Sequence, residues 1–298
     1  MEEGIETLEI IKFLQGFSTD FLDKAFQFIT FLGEGAFYVL IIATIYWSVD
    51  KSIGLRLGFI QIFSMFTNGL IKNIFKAARP IGQEGIFSLR TKTATGHSFP
   101  SGHTQGSATF WSSLMKIYKK SWLYIIGSII ILAVGISRLY LGVHWPRDVV
   151  GGIIFGVLSM FIADKIISLA LKKEDHRYLQ LLVLPAFLVL VFIQDKDYVK
   201  AVAMTAGLYL GYILESKYIH FDSKSSLLEQ VIKITIGLLG LLIVKMTMEL
   251  ILPDNNIATF IDYSLLAFWI MAGAPFLFVK LGLSASRAKV NNKFTKPM

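Results

Sequence analysis

The stretch SRLYLGVHWPRDVV, Ser137 to Val150, decides how this chain is read. Apolar sequence long enough to lie in a bilayer flanks it on both sides, yet it carries Arg138, His144, Arg147 and Asp148. Charges at membrane depth are costly, and where a chain keeps them they mark a working site. His144 and Asp148 are four positions apart, on one face at the start of a helix whose first turn holds Pro146. A carboxylate so placed accepts a hydrogen bond from one imidazole nitrogen. That fixes the tautomer and leaves the other nitrogen free as a base or nucleophile. Arg138 closes the preceding helix, about two turns before His144 if that helix continues.

The flanks set the fold class. Of 298 residues, 54% are hydrophobic and only 17% charged, where a soluble protein carries roughly a quarter. The expectation is all-α, a polytopic transmembrane helical bundle. Apolar stretches of the roughly 17–25 residues needed to span a bilayer occur near 24–48, 52–75, 100–118, 121–141, 148–171, 178–194, 198–215, 230–251 and 259–281, about nine spans in all. Before them, residues 1–20 read as an amphipathic helix on the membrane surface, with Leu8, Ile11, Leu14 and Phe17 at helical spacing, or as a frayed end. The absence of cysteine excludes disulfides, thiolate metal sites and a cysteine nucleophile. The net charge of +8 is dispersed among the spans with no basic run interleaved with aromatics, which fits juxtamembrane anchoring and not nucleic acid. Lys51, Lys116, Lys119, Lys120, Lys172 and Lys173 fall on the same side as Arg287, Lys289, Lys293 and Lys296. Cytoplasmic loops carry the Lys and Arg excess, so the C-terminus is expected in the cytoplasm and the polar cluster on the outer side.

Two further stretches belong with the first. KNIFKAARP, Lys72 to Pro80, closes the second span; offsets of four and three put Lys72, Lys76 and Arg79 on one helix face, and Pro80 ends the helix. Taken alone it also reads as a basic anchor snorkelling to headgroups. GHSFPSGHTQGS, Gly96 to Ser107, opens the third span, with Pro100 and Ser101 as the helix start and Ser101 as cap. The amides of Ser101, Gly102 and His103 then form an anion site at the helix N-terminus, and Gly102 leaves room for a ligand to approach the backbone. Spans two and four end, and spans three and five begin, on one side of the membrane. Lys72, Arg79, Ser101 to His103, Arg138, His144 and Asp148 therefore meet at one level. Three cations, a helix N-terminus and two histidines around one spot describe a phosphate site with catalytic groups attached.

These residues resemble the type 2 phosphatidic acid phosphatase superfamily, metal-independent membrane lipid phosphatases related to vanadium haloperoxidases. The three motifs read Lys72…Arg79-Pro80, Pro100-Ser101-Gly102-His103 and Ser137-Arg138…His144…Asp148. The resemblance covers roughly residues 50–171. It implies a six-helix-like phosphatase core at 21–175; the apolar stretches of 176–298 depart from that pattern and are expected to be additional transmembrane helices with a basic cytoplasmic tail. It also implies a phosphohistidine on His144 oriented by Asp148. Lys72, Arg79, Arg138, the Ser101 hydroxyl and the Gly102 amide would hold the phosphate oxygens, and His103 would serve as acid and then base. No cofactor and no metal are implied, and Asp148, the only acid beside the cluster, is a poor cage for a divalent ion. The expected substrate is a lipid phosphate or diphosphate in a bacterial plasma membrane. Undecaprenyl diphosphate, phosphatidylglycerol phosphate, phosphatidate and sphingoid-base phosphates all fit. The alternatives are a lipid-phosphate transferase and a lipid-phosphate binding or transport protein.

Other polar residues carry less. His97 reads as an exposed loop residue, and Glu84, Arg90 and Lys92 either grip a headgroup or are solvated. Trp145 and Arg147 are interfacial anchors, while His176 and His220 belong to the opposite side. In the C-terminal part, Gly207 and Gly211 have a small-xxx-small spacing for close helix contact, within the chain or in a homodimer. Lys233 is expected to snorkel and Lys245 to pair with Glu249.

Overall fold

The computed structural model describes residues 2–173, 175–193 and 195–286, so the basic tail Arg287, Lys289, Lys293 and Lys296 lies outside the described residues, as does the side chain of His176. Twelve α-helices account for most of the described residues, which form no strand. In order they are α1 Glu2–Gln15, α2 Asp20–Phe31, α3 Gly35–Thr44, α4 Lys51–Phe75, α5 Gly102–Tyr118, α6 Ser121–Tyr140, α7 Pro146–Lys173, α8 Gln180–Leu190, α9 Lys196–Leu214, α10 Leu227–Ile251, α11 Asn256–Phe268 and α12 Ala274–Lys280. Short π-helical turns extend α3, α9 and α11.

The chain is an integral membrane protein by the length and apolarity of its helices. Among the described residues, four helical segments are long and apolar enough to cross a membrane: Ser121–Tyr140, Pro146–Ala170, Leu227–Ile251 and Asn256–Lys280. A fifth is added if Asp20–Phe31 and Gly35–Val49, bent by 49°, count as one span. The expectation of about nine spans is thus met for four or five, although each of the nine stretches contains helix. The others are too short or too polar. Helix α8 has 11 residues, α4 carries Arg56, Gln61 and Asn68, and α9 opens on Lys196, Asp197 and Lys200.

The chain divides into two compact units, one of residues 1–38 with 63–164 and one of 39–62 with 165–298. In the first, α5 spends its many polar residues on neighbouring helices. Gln105 donates to the Ser64 carbonyl at 2.9 Å, Asn68 donates to Gln105 at 2.8 Å, and the Ser64 and Thr109 hydroxyls lie 2.7 Å apart. Such buried polar side chains hold helices together where lipid supplies no hydrophobic drive. Helix α7 comes close through Gly152 and Gly156, where an added Cβ would lie 2.9 Å from the Ser101 carbonyl oxygen and 2.6 Å from that of Gln105. Helix α1 divides its apolar residues: Ile11 is buried and Leu14 packs on Tyr140, Leu141 and Val143, whereas Phe13, like Phe17 in the turn after the helix, is exposed. Gln15 then ties this helix to the site region, donating to the carbonyls of Phe87 at 2.7 Å and Tyr140 at 2.8 Å.

In the second unit, α9 and α11 meet at the Gly207 and Gly211 seam as the spacing predicted. A Cβ at Gly207 would lie 2.0 Å from the Ser264 carbonyl oxygen. Lys245 pairs with Glu249 at 3.1 Å, also as predicted. Lys233 does not snorkel. It is fully buried, its Nζ donating to the Ser223 carbonyl at 2.8 Å and the Ser225 hydroxyl at 3.1 Å, because the turn before α10 folds back over it.

The α5–α7 seam yields a direct test. Replacing Gly156 with leucine overpacks backbone against backbone, and such changes cost about 1–3 kcal/mol. The variant is expected to unfold at a lower temperature than wild type in detergent, followed by far-ultraviolet circular dichroism; an unchanged midpoint would refute the close packing.

Candidate active site

Lys72 lies in the last turn of α4. The helix ends at Phe75, and Lys76 takes a left-handed conformation with φ 48°. Arg79 therefore does not share a helix face with Lys72, as its spacing predicted; it reaches the site from the loop. The proline that follows disfavours a helical Arg79, and the reversal at Lys76 turns the chain before it.

In that loop the Arg79 guanidinium is heavily engaged. It donates to the carbonyls of Val143 at 2.9 Å, Gly96 at 3.0 Å, Thr95 at 2.6 Å and His97 at 3.2 Å. Its Nη1 also lies 2.9 Å from Nε2 of His144. A guanidinium has no acceptor, so Nε2 holds the lone pair and Nδ1 carries the proton. Nδ1 is 3.3 Å from Oδ2 of the buried Asp148. That oxygen also accepts from the Trp145 amide at 2.8 Å and, in a very short contact, from the Ser98 hydroxyl. The pairing predicted from the four-residue spacing is present.

Helices α6 and α7 meet at a tight turn, so Arg138 and His144 are not successive turns of one helix. Gly142 has φ 64°, and a Cβ there would lie 2.2 Å from the Phe87 carbonyl oxygen, so glycine is required. Arg138 is fully buried in the last turn of α6. Its Nη1 donates to the Thr30 hydroxyl of α2 at 2.8 Å, while its Nε and Nη2 have no hydrogen-bond partner among the described residues.

Helix α5 begins as predicted, with Ser101 as N-cap accepting from the Thr104 amide at 3.4 Å. The Ser101 amide donates to the Asp148 carbonyl at 2.9 Å, which joins the starts of α5 and α7. At Gly102 a Cβ would stand 3.3 Å from the Asn68 side-chain oxygen. His103 Nε2 is buried without a partner. Lys72, Arg79 and Arg138 lie within electrostatic range of both His103 and His144. Burial first, then Arg79, Arg138 and Lys72, hold the His144 imidazolium pKa well below its ordinary 6.5. The arrangement offers a neutral imidazole, unpaired buried donors and a helix N-terminus, which suits a tetrahedral anion.

Residues 53–171 match the PAP2 superfamily, and residues 199–287 match the PAP2 superfamily phosphatase transmembrane extension, together more than half of the chain. The chain belongs to the PAP2 superfamily. It is 26% identical to sphingosine-1-phosphate phosphatase 1 of Rattus norvegicus over 55% of this chain and 40% of that protein. It is 29% identical to undecaprenyl-diphosphatase of Sulfolobus acidocaldarius over 44% of this chain and 63% of that protein. The chain thus spans less than two thirds of either relative's length. The crystal structure of Aquifex aeolicus LpxE aligns with a TM-score of 0.46 at 27% identity, over 53% of this chain and 94% of that one.

All eight sequence-predicted site residues fall inside the PAP2 match. Others around the site were not singled out. Ser98, next to the Pro100 motif, had only its proximity as a signal. Thr30 had none, being an ordinary helix residue. Gly33 lies against His103, where a Cβ would meet the histidine Cβ at 2.9 Å. Glu34, an acid in an apolar stretch, had a signal in that isolation, and it pairs closely with Arg90, one of the loop residues left open between headgroup and solvent. Glu84, Lys92 and Arg147 are exposed, and Trp145 donates to the Ala78 carbonyl at 3.0 Å. His97 is half-buried and serves through its carbonyl. His220 belongs to the second unit.

Thr30→Val deprives buried Arg138 of an acceptor, and an unmade buried hydrogen bond costs about 1–3 kcal/mol. The variant is expected to unfold at a lower temperature, with added inorganic phosphate recovering part of the loss by binding the folded state. A wild-type midpoint without phosphate would show that Thr30 does not support the guanidinium.

Proposed function

We propose that this protein is a lipid phosphatase that hydrolyses a lipid phosphate or diphosphate through a phosphohistidine on His144, without a metal ion. The observation that carries the reading is the imidazole held between Arg79 and Asp148 beside a buried guanidinium with unpaired donors. The names of the relatives, which act on sphingosine-1-phosphate and undecaprenyl diphosphate, support the lipid-phosphate class.

In this reading the substrate phosphate takes up the free donors of Arg138, the Lys72 ammonium, the Ser101 hydroxyl and the Gly102 amide, and Arg79 turns its Nη1 from Nε2 to a phosphate oxygen. Nε2 attacks phosphorus as the bond to the lipid oxygen breaks, and protonated His103 gives its proton to that oxygen. Asp148 stabilises the positive charge that develops on the His144 ring. Neutral His103 then takes a proton from water, whose oxygen attacks phosphorus and breaks the P–N bond, releasing inorganic phosphate. Phosphoryl transfer needs positioning and charge on the transferring oxygens, which fixed guanidinium and ammonium groups supply. Transfer to a second lipid shares the first half of this path and differs only in the acceptor. Taken with nine spans in a bacterial plasma membrane, the Lys and Arg distribution supports an outward-facing site and a cytoplasmic C-terminus.

His144→Ala is expected to lower phosphate release from a panel of lipid phosphates by roughly 10³-fold or more, with wild-type turnover unaffected by chelators and blocked by vanadate. Activity near wild type would overturn the nucleophile. The acid limb follows from the imidazole. The attacking form is neutral and its pKa is held below 6.5, so protonation removes activity only beneath that value. The fall in kcat/KM that comes from protonating His144 should therefore have its midpoint below pH 6.5. A midpoint above 6.5 would contradict the environment described for His144.

A further inference from the structure

A second polar site lies in the other unit, where the start of α9, the end of α10 and the start of α11 enclose a cavity of about 380 Å³. Its walls carry three ammonium groups, Lys196, Lys200 and Lys245, and three carboxylates, Glu249, Asp254 and Asp262. The formal charges cancel, so a ligand of zero net charge with both signs matches the walls better than a plain anion or cation.

Inside, the groups are not equally satisfied. Lys245 is fully occupied by Asp262 Oδ2 at 2.6 Å, Glu249 at 3.1 Å and the Tyr263 ring at 5.0 Å. Asp262 is only 7% exposed, and its other oxygen, Oδ1, has no hydrogen-bond partner among the described residues. A carboxylate oxygen only accepts, so what completes it carries an N–H or O–H. Lys245 beside it disfavours a metal ion. Lys200 uses one donor on Asp197 at 2.8 Å and lies over the same Tyr263 ring at 5.7 Å. An ammonium has three donors, which leaves Lys200 capacity for a phosphate oxygen. Lys196 pairs at the mouth with Asp254, which is 84% exposed. Solvent-exposed pairs of this kind are weak and re-partner readily. The lining also has an apolar part, Met248, Leu252 and Pro253.

We propose that this cavity binds a phosphoethanolamine-type zwitterion, its primary ammonium on Asp262 Oδ1 and its phosphate on Lys196 and Lys200. Met248, Leu252 and Pro253 in the wall suit a lipid bearing that headgroup, and the free headgroup shares the same chemistry.

The test uses the full chain in detergent, titrated with short-chain phosphatidylethanolamine or phosphatidylcholine and followed by thermal shift and native mass spectrometry. The choline ammonium is quaternary and has no N–H to give Asp262. Wild type is expected to bind the ethanolamine lipid saturably and at least about tenfold more tightly, and Asp262→Asn to abolish that preference. Lys200→Gln and Lys196→Gln leave the buried pair intact; each weakens both lipids while the preference persists. Displacement by free phosphoethanolamine identifies the soluble molecule as ligand, and saturable binding without such displacement identifies the lipid. Equal binding of the two headgroups by wild type overturns the proposal. So does a preference that survives Asp262→Asn, or lipid binding indifferent to both lysine variants.

Discussion

A guanidinium donates hydrogen bonds and never accepts them, and that one-sidedness sets the state of the candidate nucleophile. With Arg79 Nη1 2.9 Å from His144 Nε2, the proton has to reside on Nδ1, facing Asp148. Asp148 is held in turn by the Trp145 amide and the Ser98 hydroxyl. The tautomer is thus specified by a run of contacts from one loop to another. The same guanidinium ties down the loop that carries it, since three of its carbonyl acceptors, Thr95, Gly96 and His97, belong to the segment between α4 and α5. Arg79 therefore organises both the imidazole and the chain around it.

Why the chemistry collects at helix ends follows from the solvent. In a bilayer the backbone must satisfy itself within helices, so irregular chain is confined to their termini. Each terminus at the site has its own cause. Lys76 in a left-handed conformation ends α4, Ser101 caps α5, Gly142 turns the chain after α6, and Pro146 opens α7. Four helices that start or stop for local reasons bring together side chains far apart in sequence. The packing beneath them is fixed by Gly152 and Gly156 and by the hydroxyl and amide contacts of α5.

What was legible in the sequence were the features with a local signature. The four-residue step from His144 to Asp148, the Ser101 cap, the Gly207 and Gly211 seam and the Lys245–Glu249 pair each follow from helical periodicity or cap chemistry. What was not legible depends on a partner distant in sequence. Nothing near Thr30 marks it as the acceptor for Arg138, 108 positions away. Lys233 looks like a residue that snorkels until the turn before α10 is seen to cover it. Arg79 does stand beside His144, but not by the helix face that its spacing suggests, because spacing presumes a continuous helix and Lys76 interrupts it. The number of spans suffers from a related ambiguity: polar residues in α4 and α9 lower apolarity along helices that are long enough to cross.

Buried charge distinguishes scaffold from site in this molecule. Lys233 and Arg138 are both fully buried cations on apolar helices. Lys233 has two oxygen acceptors within 3.1 Å, so its charge is accounted for by the fold itself. Among the described residues Arg138 has one acceptor and two donor atoms with none, an arrangement that leaves part of a buried charge uncompensated. A fold tolerates that only if the rest of the structure holds it in place, and here Thr30 fixes one end of the guanidinium while its other donors stay free. Donors held so that they need not reorganise when charge arrives are what stabilisation of a phosphoryl group requires. The unmet hydrogen bonds of Arg138 among the described residues thus set it apart from Lys233 as a group suited to meet an anion.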